Sequence, residues 1–293
     1  LLARNQDHVG NRKNNRLDKK GDLEILKKKG TLKVCIAPQS TSFAPFILNN
    51  KDRPYGLDID ICKGIAKSLN INTHFIYAQS FTNIVEEVAK GKCDVGFSGL
   101  SLTMSRSQMA RYTSSYIRNR QTLFLNRLKI QEKFKGKQIS IRTIARAKDK
   151  NIRIGIIEGS SFKELAHHIF PYASFIPFKD WFKDGIPQLL QGKFDILWAD
   201  EFFVTIALQT RPSLAFHTLA VTLKNSFDNL YGVVDYKKPE LHSYINTFLE
   251  MYFPQQSITG LMKQKRYKHI LRNSYEEIGK MWLDDPRMKE YVK

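Results

Sequence analysis

No run of about 18 consecutive apolar residues occurs in this chain, which excludes a membrane-spanning helix of ordinary length. The first residues, LLARNQDHVGNRKNN, lack the apolar core of a signal peptide, so any signal is expected to have been removed before this numbering begins. Cysteine is scarce. Cys35, Cys62 and Cys93 make an odd count that cannot pair fully within one chain. No CxxC pair or Cys/His cluster marks a metal site, and neither a metal nor a cofactor is expected. Each cysteine lies in an apolar stretch, so buried free thiols are expected. A Cys35–Cys93 or Cys62–Cys93 bridge would matter only in an oxidising compartment.

Acidic residues are also in deficit. The 293 residues carry 47 Lys and Arg against 28 Asp and Glu, a formal charge of +19. Such a charge invites a nucleic-acid reading, but its distribution argues against one. Residues 1–33 hold +6, residues 127–153 hold +8 and residues 254–293 hold +4, leaving +1 for the rest. The patterned body of the chain is almost neutral, and no nucleic-acid partner is expected.

That body alternates strands with helices. TLKVCIA, THFIYA and CDVGFSG read as strands, with helices over LDIDICKGIAKSLN and SFTNIVEEVAKGK between them. The order recurs downstream as NIRIGII, ASFIPF and FDILWAD around the helices SFKELAHHIF and FKDGIPQLLQGK. Helix, Gly-Lys and strand appear twice, as AKGKCDVGF and LQGKFDILW. Two similar α/β lobes with a cleft between them follow from this repetition. The expected division is a polar basic arm over 1–29, a first lobe over 30–122 plus 223–253, a second over 127–218 and a basic helical extension over 254–293. The QTLFL run and HTLAVTL are the expected crossings. Asp195, opening its strand, is expected to be solvated.

Three strand ends carry polar chemistry toward such a cleft. GLSLTMSR places Gly99, Ser101 and Arg106 in one short loop. An arginine fork matches a carboxylate bidentately, although a solvated loop arginine fits the same string. EGSS puts Ser160 and Ser161 at a helix start, where they suit either an anion or a simple cap. ILWADE ends in Asp200, which suits either a ligand ammonium or a helix cap. Phe43 and Phe46 flank Pro45 in a turn, and Phe81 precedes a helix. Aromatic faces can sandwich a ligand side chain, while Phe46 is expected in the core.

Taken in order, FAPF, YGLDIDI, GLSLTMSR, YTSSY, GIIEGSS and DILWAD resemble the periplasmic polar-amino-acid-binding proteins of ABC importers, bacterial extracellular solute-binding protein family 3. The resemblance runs over roughly residues 30–250. It implies an α/β, two-lobed periplasmic-binding-protein fold (type II, Venus-flytrap) with two hinge crossovers and an added helical C-terminal segment. It implies a non-enzymatic protein that binds an L-amino acid outside the cytoplasm and hands it to the membrane subunits of an importer. By position, Arg106, Ser101 and backbone near Ser161 would take the α-carboxylate. Asp200, the Gly99 carbonyl and the Ser101 hydroxyl would take the α-ammonium, and Phe43 and Phe81 would flank the side chain. Ser40 stands where relatives selecting cationic ligands carry an acid, so a neutral or polar amino acid is expected; Glu158 or Asp58 would have to compensate otherwise. The basic ends are candidate contacts with a membrane surface. A sensing domain of a membrane receptor or lytic enzyme, or a cyclohexadienyl dehydratase-like enzyme using Glu158 or Glu201, are the alternatives on the same fold.

Overall fold

The computed structural model describes residues 21–40, 43–51, 53–135, 139–160 and 162–291. Two large sheets form beside a two-stranded hairpin, Leu48–Asn50 with Arg53–Tyr55, and the parallel cores of the two large sheets are organised in the same way. In the first, β1 (Thr31–Ile36) lies between β2 (Asn72–Tyr77) and β3 (Val95–Ser101), all parallel. Val34, Cys35 and Ile36 are fully buried, as expected for a strand covered on both faces. Helices α2 (Leu57–Ser68) and α3 (Asn83–Ala89) connect these strands. In the second, β6 (Arg153–Ile157) lies between β7 (Ser174–Phe178) and β8 (Ile196–Asp200), again parallel. Helix α6 (Phe162–Ile169), then a π turn over Trp181–Gly185 and α7 (Ile186–Leu190), make the connections.

The repeated Gly-Lys-x-Asp string has a structural cause. Asp94 accepts a hydrogen bond from Lys33 N at 2.7 Å, and Asp195 accepts one from Arg153 N at 2.7 Å. In each lobe an acid at the start of the third strand ties down the backbone of the first. Asp195 is therefore not solvated. It is fully buried and paired with Lys133 at 2.7 Å and Arg153 at 3.2 Å.

The chain crosses between sheets twice. β4 (Ile117–Arg118) belongs to the first sheet, and β5 (Arg120–Asn126) to the second, with Asn119 between them. β9 (Thr218–Phe227) belongs to the second sheet, and β10 (Leu230–Val234) to the first. The QTLFL run is thus wholly a buried strand of the second sheet, and the crossings are only a few residues long. They run side by side: Leu230 pairs with Ile117, Phe227 with Arg120, and Asp228 N donates to the Asn119 carbonyl at 2.9 Å. The Arg118 guanidinium lies 4.7 Å from the Phe227 ring centre.

Helix α1 (Asp22–Lys29) occupies the described end of the expected polar arm. Its Asp22 accepts from Glu240 N and Leu241 N at the start of α9 (Pro239–Tyr252), and Leu26 is buried. The second lobe also holds α4 (Arg127–Phe134), α5 (Ile141–Ala145) and α8 (Glu201–Thr210). After α9, β11 (Gln256–Ser257) pairs with β4 in the first sheet, and α10 (Ile258–Lys263) and α11 (Lys265–Asp284) follow. Cys35 and Cys93 form a disulfide that staples β1 to the residues leading into β3, so two of the three expected free thiols are bonded. Cys62 is a buried free thiol. Among the described residues no helix is long and apolar enough to cross a membrane.

Candidate functional site

The carboxyl ends of β3, β6 and β8 meet where the lobes touch. Gly99, near the end of β3, has φ +60, and a Cβ there would lie 2.6 Å from the Phe43 ring. Glycine is therefore required both for the left-handed backbone and for the close approach of Phe43. The Asp58 carboxylate accepts from Gly99 N at 2.6 Å and holds the strand end in place. Asp58 is fully buried, which pushes its carboxyl up to about 7, with the Tyr116 hydroxyl and Gly99 N–H opposing the shift. It holds the end of β3 from within the buried interior of the first lobe.

Just beyond, Thr103 caps a short helical turn by accepting from Arg106 N at 3.1 Å. This turns the Arg106 side chain back over β3. Its Nη1 donates to the Ser101 carbonyl at 3.4 Å and its Nη2 to the Gly159 carbonyl of the other lobe at 3.5 Å. Only 8% of Arg106 is exposed, so the solvated-loop alternative fails. Both bonds are long, and a carboxylate would be a stronger partner for the fork. Ser160 is adjacent, and its buried hydroxyl has no partner among the described residues. Ser161 lies outside the described residues.

Asp200 ends β8 and caps α8, accepting from Phe203 N at 2.8 Å. The cap reading is therefore correct, and it leaves the carboxylate buried in the cleft. Burial pushes its carboxyl up to about 7. The charge of Asp228 adds to the shift, while the N–H of Phe203, the Asn119 side chain and the N–H of Phe202 oppose it.

Asp228 was missed in the sequence, where it appears as one acid in a polar turn. In the structure it sits on the second crossing, 7% exposed. Burial raises its carboxyl to about 6, with a hydrogen bond from Ser101 and the positive charge of Arg106 opposing. Gln121 pairs directly across from Asp200, so the two side chains share a face. Its buried side-chain oxygen has no partner among the described residues.

The aromatic wall also differs from expectation. The ring lying on Phe43 is Phe203, at 5.4 Å and 2° between planes. Phe203 in turn stacks on Trp181 at 4.3 Å and 18°. Phe46 is fully buried, as expected, and packs against Phe43 and Phe202. Phe81 is half-buried beside the first core. Its neighbour Thr82 closes on Gly159 across the lobes, since a Cβ on Gly159 would lie 2.6 Å from the Thr82 methyl. Trp181, Phe202 and Phe203 each follow a strand's carboxyl end closely, and that position was the available signal.

The model of one family matches residues 32–264, nearly all of both lobes. The chain belongs to the bacterial extracellular solute-binding proteins, family 3. Among curated proteins, the ABC transporter arginine-binding protein 1 of Escherichia coli (strain K12) is 24% identical over 195 residues, 66% of this chain and 74% of that protein. A Streptococcus pneumoniae amino acid ABC transporter substrate-binding protein, solved with L-arginine, superposes with a TM-score of 0.61 at 19% identity, over 87% of this chain and 98% of that one. An ancestral amino-acid-binding protein, described as a precursor of cyclohexadienyl dehydratase, superposes with a TM-score of 0.60 at 19% identity, over 93% and 100%. These likenesses show the type II two-lobed fold. As a family 3 member, the chain is a solute-binding protein of the extracellular class.

Proposed function

We propose that this solute-binding protein takes a cationic L-amino acid for delivery to an ABC importer, without turning it over. The observation that carries the reading is the placement of Arg106 between the lobes with the acids Asp200 and Asp228 at the hinge. Arg106, with Ser101, Ser160 and Ser161, takes the α-carboxylate. Asp200 and Asp228 take positive charge, and the Gly99 carbonyl borders the same space. One arginine against two aspartates leaves the socket at −1, and a ligand of net +1 neutralises it. This differs from the neutral ligand expected from Ser40, because the second acid comes from the hinge rather than from the aromatic turn. Phe43 stacks on Phe203 and Phe203 on Trp181, an aromatic column against which a ligand side chain would pack, and Phe81 is proposed as a further contact. The arginine-binding Escherichia coli relative and the arginine-bound Streptococcus pneumoniae structure support the same class.

The lobe division follows the sheets, with hinges at 118–120 and 227–230. The Cys35–Cys93 disulfide suits an oxidising, extracytoplasmic compartment. Exposed basic residues on α11 and the basic N-terminal segment supply contacts with an anionic membrane surface; vesicle binding that falls with salt would test this.

The enzyme alternative loses its nominated acids. Glu201 is held in a two-pronged pair with Arg120 at 2.7 and 2.9 Å, and Glu158 is exposed. Calorimetry against the twenty amino acids tests the binding reading, and turnover of prephenate or arogenate would overturn it.

A further inference from the structure

We propose that α11 is a third connection between the lobes, and that Arg266 and Tyr267 act as positioning residues for closure. The path of the chain carries the argument. β11 pairs with β4 in the first sheet, and the following α10 buries Ile258 and Leu261. Gln264 alone, in extended conformation at φ −74 and ψ 124, separates α10 from α11. Helix α11 has 20 residues and so spans about 30 Å.

Its first turn grips the first lobe. Arg266 donates through Nε and Nη2 to the two oxygens of Asp60 on α2, at 2.6 and 2.7 Å. The hydroxyl of Tyr267, a residue only 5% exposed, donates to the same carboxylate at 3.1 Å. The far end grips the second lobe. Arg211 Nη2 donates to the Gly279 carbonyl at 3.2 Å, and the fully buried Trp282 donates to the Phe182 carbonyl at 2.7 Å. Beyond the helix, Arg287 donates to the Lys183 carbonyl at 2.6 Å and Tyr291 to the Leu190 carbonyl at 3.1 Å.

Each anchor lies on a segment that also carries a residue of the proposed ligand site or its support. Asp60 is two residues from Asp58, whose carboxylate holds Gly99. Phe182 follows Trp181, which stacks on Phe203. Rotation of one lobe against the other about 118–120 and 227–230 has to move α11 relative to α2. The Arg266 fork is planar and bidentate, so it tolerates little displacement. The contact therefore favours the approach of the lobes seen here, and losing it shifts the population toward the open form.

The test uses the full chain with the Arg266→Ala/Tyr267→Phe double variant, and Asp60→Asn as a break from the other side. Without ligand, small-angle scattering is expected to show an expanded particle in both variants. Calorimetry with L-arginine is expected to show affinity weakened about fivefold or more, the low end of ordinary coupling between sites. Arg266→Lys, which keeps the charge and loses the fork, is expected to fall between. Unchanged scattering together with a dissociation constant within twofold of wild type, in either folded variant, overturns the proposal. So does a fall in melting temperature with both readouts unmoved, because that marks a structural role only. The affinity arm rests on the ligand reading above and the scattering arm does not, so a wild-type protein that ignores L-arginine would sink that reading and leave the strap to be decided by scattering.

Discussion

Asp200 and Asp228 are both buried and near enough for the charge of Asp228 to act on Asp200, and each is raised toward neutral pH by its surroundings. A ligand cation between them favours their charged forms, so binding releases protons near pH 6–7. Affinity for L-arginine is predicted to rise between pH 5.5 and 8, by up to about tenfold per pH unit for each proton released. Calorimetry in two buffers of different ionisation enthalpy reads the proton count directly. Stability without ligand runs the other way. With Asp58, three carboxyls hold protons in the folded state between about pH 4 and 7 that the unfolded chain has lost. Raising the pH through that window is predicted to lower the melting temperature, and Asp200→Asn with Asp228→Asn is predicted to flatten the dependence. Asp200→Asn alone keeps a side-chain oxygen for the α8 cap. It is predicted to leave the melting temperature within a few degrees while weakening arginine binding roughly 100-fold, the scale of a lost buried charge contact. Asp200 and Arg106 were legible because each follows a strand end in a recognisable string. Asp228 was not, because its role arises from two crossings lying side by side, which local sequence does not encode.

At the level of elements, the strand–helix alternation of both lobes was readable from apolar periodicity. The paired Gly-Lys-x-Asp strings marked equivalent positions, and their cause is the strand-to-strand bond made by Asp94 and by Asp195. The crossings were less readable. QTLFL is apolar enough to be a buried strand and is one, so the change of sheet falls at Asn119 instead. The bridge between Cys35 and Cys93 was one of two open pairings, and only the parallel register of β1 beside β3 brings those residues together. Closing a loop across a sequence separation of 58 contributes about 4 kcal/mol in the chain-entropy model. Cys35→Ser with Cys93→Ser is predicted to lower the melting temperature by about 10 °C. Thermal unfolding with and without reductant checks this, and an unchanged midpoint would contradict it.

Across the whole molecule, the charge of +19 concentrates away from the near-neutral body that builds the cleft. On the proposed reading, Arg106, Asp200 and Asp228 set the charge of the cleft, and closure would join groups from both lobes. The cationic-ligand assignment is tested most sharply by a calorimetric titration of wild-type protein and Arg106→Ala with L-arginine, L-lysine and L-glutamine. It predicts tight binding of the two cationic amino acids by the wild type, binding of glutamine at least about tenfold weaker, and loss of roughly 100-fold or more in the variant. Equal affinity of Arg106→Ala and wild type for any of the three, or a clear preference of the wild type for glutamine, would contradict it.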